Sequence, residues 1–304
     1  MKCLVIVNED AGSPKKDVAE NSPHAWRERF AKAGVEADLR TVASGQMETA
    51  LRAAVASRPP ALVIGGGDGT VRGAAALLVG TSIPMGILPL GTLNHFARDV
   101  GIPTELNAAI AALAGGRERL VDMGEVNGQL FINNCSLGAY ADAVRRRDAL
   151  RTMKPQGKWW AMLRASWSTF RRLELLRLRL RVDAEAPRVV RTPLAVVGNN
   201  RYNGYLLGRS LRPRLDEERL WLYSVRTHRH LPVLRLLTRS LVGRLDEADA
   251  LSAMAATEVV IESLNGPIPV AADGEVLKLQ TPMHFRIRSR ALRVLVPDER
   301  EAPK

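Results

Sequence analysis

Two short segments hold residue types whose spacing could do chemistry. The first is LVIGGGDGTVRG, residues 62–73, where four glycines surround Asp68 directly after an apolar run. Each glycine loses more backbone freedom on folding than any other residue, so four together need a structural or ligand-binding reason. Between a strand and a helix, Gly65 to Gly69 suit a phosphate cradle. The helix N-terminus offers free N–H groups and a positive dipole end, and glycine lets a ligand approach the backbone. The expectation includes φ > 0 at Gly67. Asp68 either caps the helix or faces a metal carried with a nucleotide. Neither G-x-x-x-x-G-K-[ST] nor G-x-G-x-x-G is present, because Thr70 and Arg72 stand where the second pattern needs its third glycine. A tight turn without ligand is the plain alternative, but it needs fewer glycines. A nucleotide phosphate is the expected occupant.

The second segment is PIPVAADGEVLKL, residues 267–279. Asp273-Gly274 is a strong hairpin-turn pair in its own right. The turn does not explain the acid at Glu275. A carboxylate projecting from such a connection can take the proton of a hydroxyl as a new bond forms at its oxygen.

The elements that must position these groups fall into two textures. Over the first 120 residues, CLVIV, VEADLRT, ALVIGG and PMGILPLG read as strands. Between them, Ser22-Pro23 opens a helix that Gly34 ends, a second helix covers Gln46 to Ser57, and a third starts near Thr70. Alternating strands and helices predict a mostly parallel sheet with helices on both faces, whose ligands bind at the carboxyl ends of the strands. GGGDGT and LPLGTLN both fall there. After residue 120, Asn127-Gly128 marks a hairpin, and a helical region runs from about Ala139 to Arg172. LLRLRLRV, VVRTPLAVVG, RLWLYSV, EVVIE, PIPVA and HFRIR then read as strands of an antiparallel sandwich or curved sheet.

Composition bounds the function. The 304 residues suffice for two cored domains, and 46% hydrophobic with 25% charged residues is a globular profile. Cys3 and Cys135 offer no disulfide framework, so a reducing compartment is expected. CLVIV is too short for a signal core or a membrane span, and no later run approaches the required length. The net charge of +12 points to an anionic partner. Nucleic acid is disfavoured, since zinc-finger spacing, an RNA-recognition aromatic motif and a basic tail are all missing.

Several features have a plain reading beside a functional one. Trp159, Trp160, Leu163, Trp167 and Phe170 form a helical stripe that suits core packing, or else a lipid-facing groove. In LLRLRLRV, Arg177, Arg179 and Arg181 line the exposed face of a half-buried strand, which is a solvated face or an attraction for anionic headgroups. VVGNNRYNGYLLG is a loop or a cleft wall. His228 and His230 share a strand face without a third metal ligand in sight.

GGGDGTV, followed by LPLGTLNHFARDVGIP and, far downstream, ADGE, resembles the diacylglycerol-kinase-like lipid kinases. The likeness runs from near residue 3 to about 296. GGDGT is shared with NAD kinases, and the LPLGTLNHFAR segment is what favours lipid kinases. The resemblance implies an α/β nucleotide-binding domain of the phosphofructokinase and NAD kinase type over residues 1–124, with 291–304 returning to it. A β-rich, sandwich-like lipid domain over 125–290 completes it. It implies ATP contacts at Asn8, Gly12, Thr41, Gly66, Gly67, Asp68, Gly69, Thr70, Val71 and Thr92. The catalytic acid pair falls on Asp273 and Glu275, with Asp68 beside the nucleotide and Mg²⁺ bridging the phosphates. A structural metal loop of relatives corresponds to PRLDEERL and puts Glu218 at its acid position. The chain departs from the family pattern at NEDAG, where Glu9 replaces a proline, and at His95, where relatives carry aspartate.

The expected protein is thus an ATP-dependent lipid kinase acting on a hydroxyl of diacylglycerol or a related lipid. It is expected to be cytoplasmic and peripherally attached to an anionic membrane surface, with a homodimer left open. An NAD kinase-like enzyme and an inactive lipid-binding homologue are the alternatives.

Overall fold

The computed structural model describes residues 1–11, 22–138, 175–203, 212–225 and 251–298. The chain divides into two compact units, Met1–Asp122 with Ser289–Lys304, and Met123–Arg288.

In the first unit, β1 (Lys2–Asn8), β2 (Glu36–Val42), β3 (Leu62–Gly66) and β4 (Met85–Pro89) pair in parallel in the order β2-β1-β3-β4. Parallel neighbours need crossover connections. These carry α1 (Pro23–Lys32), α2 (Met47–Ala56) and α3 (Asp68–Leu78), and α4 (His95–Asp99) and α5 (Leu106–Ala114) follow β4. β3 and β4 are buried along their whole length, as a sheet covered on both faces requires. The punctuation read from the sequence operates here. Ser22 Oγ accepts the Ala25 N–H at 3.2 Å, proline opens α1, and Gly34 adopts φ 70° just past its end. The third helix starts at Asp68 rather than near Thr70, because Gly67 already serves as its N-cap.

The second unit begins within β5 (Arg117–Val126) and turns through Asn127 (φ 46°) and Gly128 (φ 82°) into β6 (Gln129–Phe131), the predicted hairpin. β7 (Asn134–Gly138), β8 (Leu176–Val182), β9 (Arg188–Thr192), β10 (Leu194–Asn199), β11 (Leu220–Val225), β12 (Leu251–Ala256), β13 (Glu258–Ser263), β14 (Val270–Ala272), β15 (Glu275–Leu277) and β16 (Met283–Val296) follow. One six-stranded sheet has the order β12-β11-β10-β7-β14-β15, and the other layer runs β16-β13-β8-β9. Inward residues of both layers form one core, including Leu178, Leu180, Ile261 and Phe285 from one and Leu137, Val197, Leu222 and Val270 from the other. This is the expected β-rich sandwich.

Three strand readings change. VVRTPLAVVG is two strands, because Pro193 lacks the N–H a continuous ladder needs. HFRIR and ALRVLVP belong to one 14-residue strand, β16, whose Val294 lies beside Met85 of β4 in parallel. LSAMAA, too weakly alternating to stand out in the sequence, is β12. The helical region from Ala139 to Arg172 with its tryptophan stripe, His228, His230 and Gly12 lie outside the described residues.

Candidate functional site

The carboxyl ends of the first unit's strands converge on Asn8. Register places Asn8 beside Val42, and Val7 beside both Thr41 and Gly65. The Asn8 side chain joins three segments. Its Nδ2 donates to Thr70 Oγ1 at 3.2 Å, while Oδ1 accepts from Ser44 Oγ at 3.0 Å and from the Asp10 N–H at 3.1 Å. Asp10 Oδ2 in turn accepts the Ser44 N–H at 2.9 Å. That hydrogen bond and the Ser44 hydroxyl hold the Asp10 carboxyl below its ordinary pKa. Asn8, Thr41 and Thr70 were expected here. Ser44 and Asp10 were not, because a serine after a strand and an acid in NEDAG carry no pattern of their own.

The glycine stretch is built for close approach rather than for unusual dihedrals. Gly67 has φ −87° and ψ −179°, so the expected φ > 0 does not occur there. None of Gly65, Gly66, Gly67 and Gly69 has positive φ. The constraint is space. A Cβ on Gly66 would stand 2.6 Å from Thr70 Cβ, and one on Gly91 would stand 2.5 Å from Gly67 Cα. The LPLGTLN loop therefore lies against the glycine loop backbone to backbone, and the Leu90 N–H donates to Gly66 O at 3.2 Å. Asn94 sets the shape of this loop from a left-handed conformation (φ 51°, ψ 46°), which asparagine tolerates. Its Oδ1 accepts the Gly91 N–H at 2.9 Å, and its Nδ2 donates to the Gly91 and Pro89 carbonyls at 2.8 and 3.2 Å. Thr92, where the resemblance implies an ATP contact, is exposed, and Asn94 two residues later was not among the implied contacts.

Asp68 is the first residue of α3 rather than its cap, and it is half-buried. No side chain caps the helix N-terminus. Its N–H groups and positive dipole end, together with a loop lacking side chains at Gly66 and Gly67, can take an anion. Val71 is buried in the helix underneath, and Gly69 is exposed.

In the second unit, Asp273 (φ 49°) and Gly274 (φ 78°) form the two-residue turn between β14 and β15, with Glu275 opposite Ala272. The Asp273 carboxylate accepts three backbone N–H groups, from Ile132 at 2.8 Å, Asn133 at 2.7 Å and Asn134 at 3.2 Å. Behind them lies Arg212, 2% exposed. Its Nη1 donates to the Ile132 and Asn199 carbonyls and its Nη2 to Asn133 Oδ1 at 2.8 Å. Asp273 thus ties the 132–134 segment to the turn that presents Glu275, which is exposed. The buried arginine and Asn199 were missed in the sequence, where an arginine beside proline reads as surface. Cys135, fully buried next in the chain, has its thiol pKa pushed up by burial and further by the Asp273 charge.

Around Glu218, Glu217 Oε2 accepts the Arg201 N–H and Trp221 Nε1–H, each at 3.1 Å, and the Arg201 guanidinium lies 5.0 Å from the Trp221 ring centre. Among the described residues no group of three or more His, Cys, Asp or Glu side chains could hold a metal, at Glu218 or elsewhere.

Residues 2–126 match the diacylglycerol kinase catalytic domain, and residues 133–296 match the YegS C-terminal NAD kinase beta sandwich-like domain. A diacylglycerol kinase of Mycobacterium tuberculosis is 32% identical over 255 residues, spanning 81% of this chain and 80% of that protein. The chain belongs to the diacylglycerol kinase family of lipid kinases. It is a kinase by that membership, as the glycine loop and its LPLGTLN companion implied. A Pseudomonas aeruginosa protein named "Probable lipid kinase YegS-like" is 46% identical over 110 residues, 35% of this chain and 36% of that protein. A diacylglycerol kinase from Bacillus anthracis shares the fold with a TM-score of 0.71 at 19% identity, over 98% of this chain and 97% of that one. Yeast NADH kinase, solved with NADH, superposes with a TM-score of 0.51 at 11% identity, over 98% of this chain and 84% of that one. The α/β plus β-sandwich architecture read from the sequence is the family's, and the NAD kinase alternative is left with a distant likeness of fold.

Proposed function

We propose that this lipid kinase transfers the γ-phosphoryl group of ATP to a hydroxyl of diacylglycerol or a close relative at an anionic membrane surface. The observation that carries the reading is the uncapped N-terminus of α3, at a loop where Thr70 leaves no room for a Cβ on Gly66 and Gly67 leaves none for a Cβ on Gly91. That arrangement fits nucleotide phosphates. Asn8, Thr41, Gly66, Gly67, Asp68, Gly69, Thr70, Val71 and Thr92 would hold ATP. Mg²⁺ carried with the nucleotide would neutralise phosphate charge, with Asp68 as the acid of this loop.

Glu275, on the turn after β14, is the proposed proton acceptor. Glu275 takes the proton of the lipid hydroxyl as its oxygen bonds to the γ-phosphorus, the bond from that phosphorus to ADP breaks, and ADP leaves. Asp273 positions Glu275 through the turn, its carboxylate held by three backbone N–H groups. The net charge of +12 suits a surface of anionic lipid, and no helix among the described residues is long and apolar enough to cross a membrane. Two buried free thiols fit the reducing cytoplasmic side.

The test is transfer of label from γ-labelled ATP to a panel of diacylglycerol, ceramide, sphingosine, phosphatidylglycerol and NAD. Label in the organic phase, highest on diacylglycerol, is expected. Label on NAD alone, or on none of the panel, would overturn the proposal.

A further inference from the structure

The outer face of the β16-β13-β8-β9 layer carries a charge pattern that works against its own stability. β8 sends Leu176, Leu178, Leu180 and Val182 into the core and leaves Arg177, Arg179 and Arg181 exposed. Register sets Arg191 of β9 directly opposite Arg177. Like charges so placed destabilise a strand pair. Only part of the charge is answered. Arg179 pairs with Glu262 at 2.6 Å, and Arg286 pairs with Glu258 at 3.8 Å. Arg177, Arg181 and Arg191 make no ion pair among the described residues. Opposite Arg179 on β9 stands Val189, a large hydrophobic residue 55% exposed.

We infer that this face seats the protein on an anionic phospholipid bilayer through Arg177, Arg181 and Arg191, with Val189 entering the headgroup boundary. The inference rests on the reading that the acceptor is a membrane lipid, and it names the surface that reaches that membrane. Outward residues two apart on a strand are about 6.6–6.8 Å apart and neighbouring strands about 4.8 Å apart, so three arginines address several headgroups at once. Arginine lays its apolar stem along an apolar surface while its guanidinium reaches phosphate, and a valine among the cations adds apolar burial. The outward positions of β8, β9, β13 and β16 carry no Phe, Tyr or Trp on which a base could stack, which argues against single-stranded nucleic acid.

The test uses the full chain and vesicles of equal parts phosphatidylglycerol and phosphatidylcholine, with pure phosphatidylcholine as the neutral comparison. Sedimentation should favour the anionic vesicles and weaken as salt rises. Replacing Arg177, Arg181 and Arg191 by Gln should lower the partition coefficient about 10²-fold, at about fivefold per basic residue near the surface. Replacing the same three by Lys should keep most of the binding. Arg191→Gln alone relieves the opposed pair, should fold at least as well as the parent, and should lose about fivefold. Turnover of a water-soluble short-chain diacylglycerol should be unchanged in all three. A parent protein that phosphorylates no diacylglycerol would sink the functional reading. If the parent is active on lipid but the Gln variants bind anionic vesicles undiminished, this face is the wrong one. Equal binding of the parent to both vesicle types, Lys variants as weak as Gln variants, or a homopolymeric RNA bound more tightly than vesicles through the same arginines would each overturn the inference.

Discussion

Gly91→Ala is the substitution that most directly probes how the nucleotide loop is built. Its added Cβ would stand 2.5 Å from Gly67 Cα and 2.8 Å from Asn94 Oδ1. The first contact is roughly 0.9 Å short of the 3.4 Å at which ordinary contact begins, and the atom in the way is backbone. Two loops must therefore part by about that distance, or Asn94 must give up the bonds that shape its own. Overpacking of this kind costs about 1–3 kcal/mol, which lowers the melting temperature by about 2–10 °C. A shift approaching 1 Å at a phosphate-positioning loop is worth on the order of 10²-fold in kcat/KM. Gly73→Ala on α3 is the control. It meets nothing within 4 Å and lies in the interior of α3, so it should add about 0.5–1 kcal/mol of stability and leave turnover alone. The assay is thermal unfolding of both variants beside steady-state kinetics with ATP varied. A Gly91→Ala enzyme with unchanged melting temperature and unchanged kcat/KM would refute the close-approach reasoning.

Three further outcomes follow from other parts of the structure. Asp273→Asn removes an acceptor from a carboxylate holding three N–H groups, so urea unfolding should show a loss of about 1.5–3 kcal/mol, and undiminished stability would contradict the staple role. Burial pushes the Cys3 thiol up to about 11 and the Cys135 thiol higher still, so a thiol reagent in mildly alkaline buffer should label neither until the protein unfolds, and prompt labelling of the native chain would be the contrary result. For Asp183, burial acts to raise the pKa, but hydrogen bonds from the Glu258 N–H and from the Thr257 hydroxyl and N–H outweigh it and hold the carboxyl low. A depressed folded pKa gives stability that is complete above the ordinary aspartate value of about 3.9 and lost as pH falls through the folded value. The stability gap between the parent and Asp183→Asn should hold steady from neutral pH down to about 3.9 and shrink below it, whereas a gap that widens on acidification would contradict the assignment.

What could be read in the sequence depended on whether a residue's role was local. Ser22-Pro23, Asn127-Gly128 and Asp273-Gly274 act through their own dihedrals and neighbours, and each does in the structure what it signals in the chain. The alternation of LLRLRLRV likewise gave its face assignment directly. Gly67 was recognised for the wrong reason. Density of glycine is visible in sequence, but positive φ and close approach leave the same mark, and only the position of Gly91, 24 residues on, tells them apart. Asn94, Ser44 and Arg212 were missed because each is defined by a partner distant in the chain or by a loop conformation that no local pattern announces. Arg212 is the clearest case, since its cost of burial is met by carbonyls and an amide from residues 13 to 80 positions away.

Glu275 is proposed above as the proton acceptor for phosphoryl transfer to a lipid hydroxyl. The most direct test compares the parent with Glu275→Gln in transfer of γ-labelled phosphate to diacylglycerol, with ATP affinity measured on the same preparations. Glutamine keeps the size and hydrogen bonding of the side chain and removes the base. ATP affinity should be unchanged and kcat lower by about 10²–10⁴-fold. A Glu275→Gln enzyme that phosphorylates diacylglycerol at the parent's rate would contradict it.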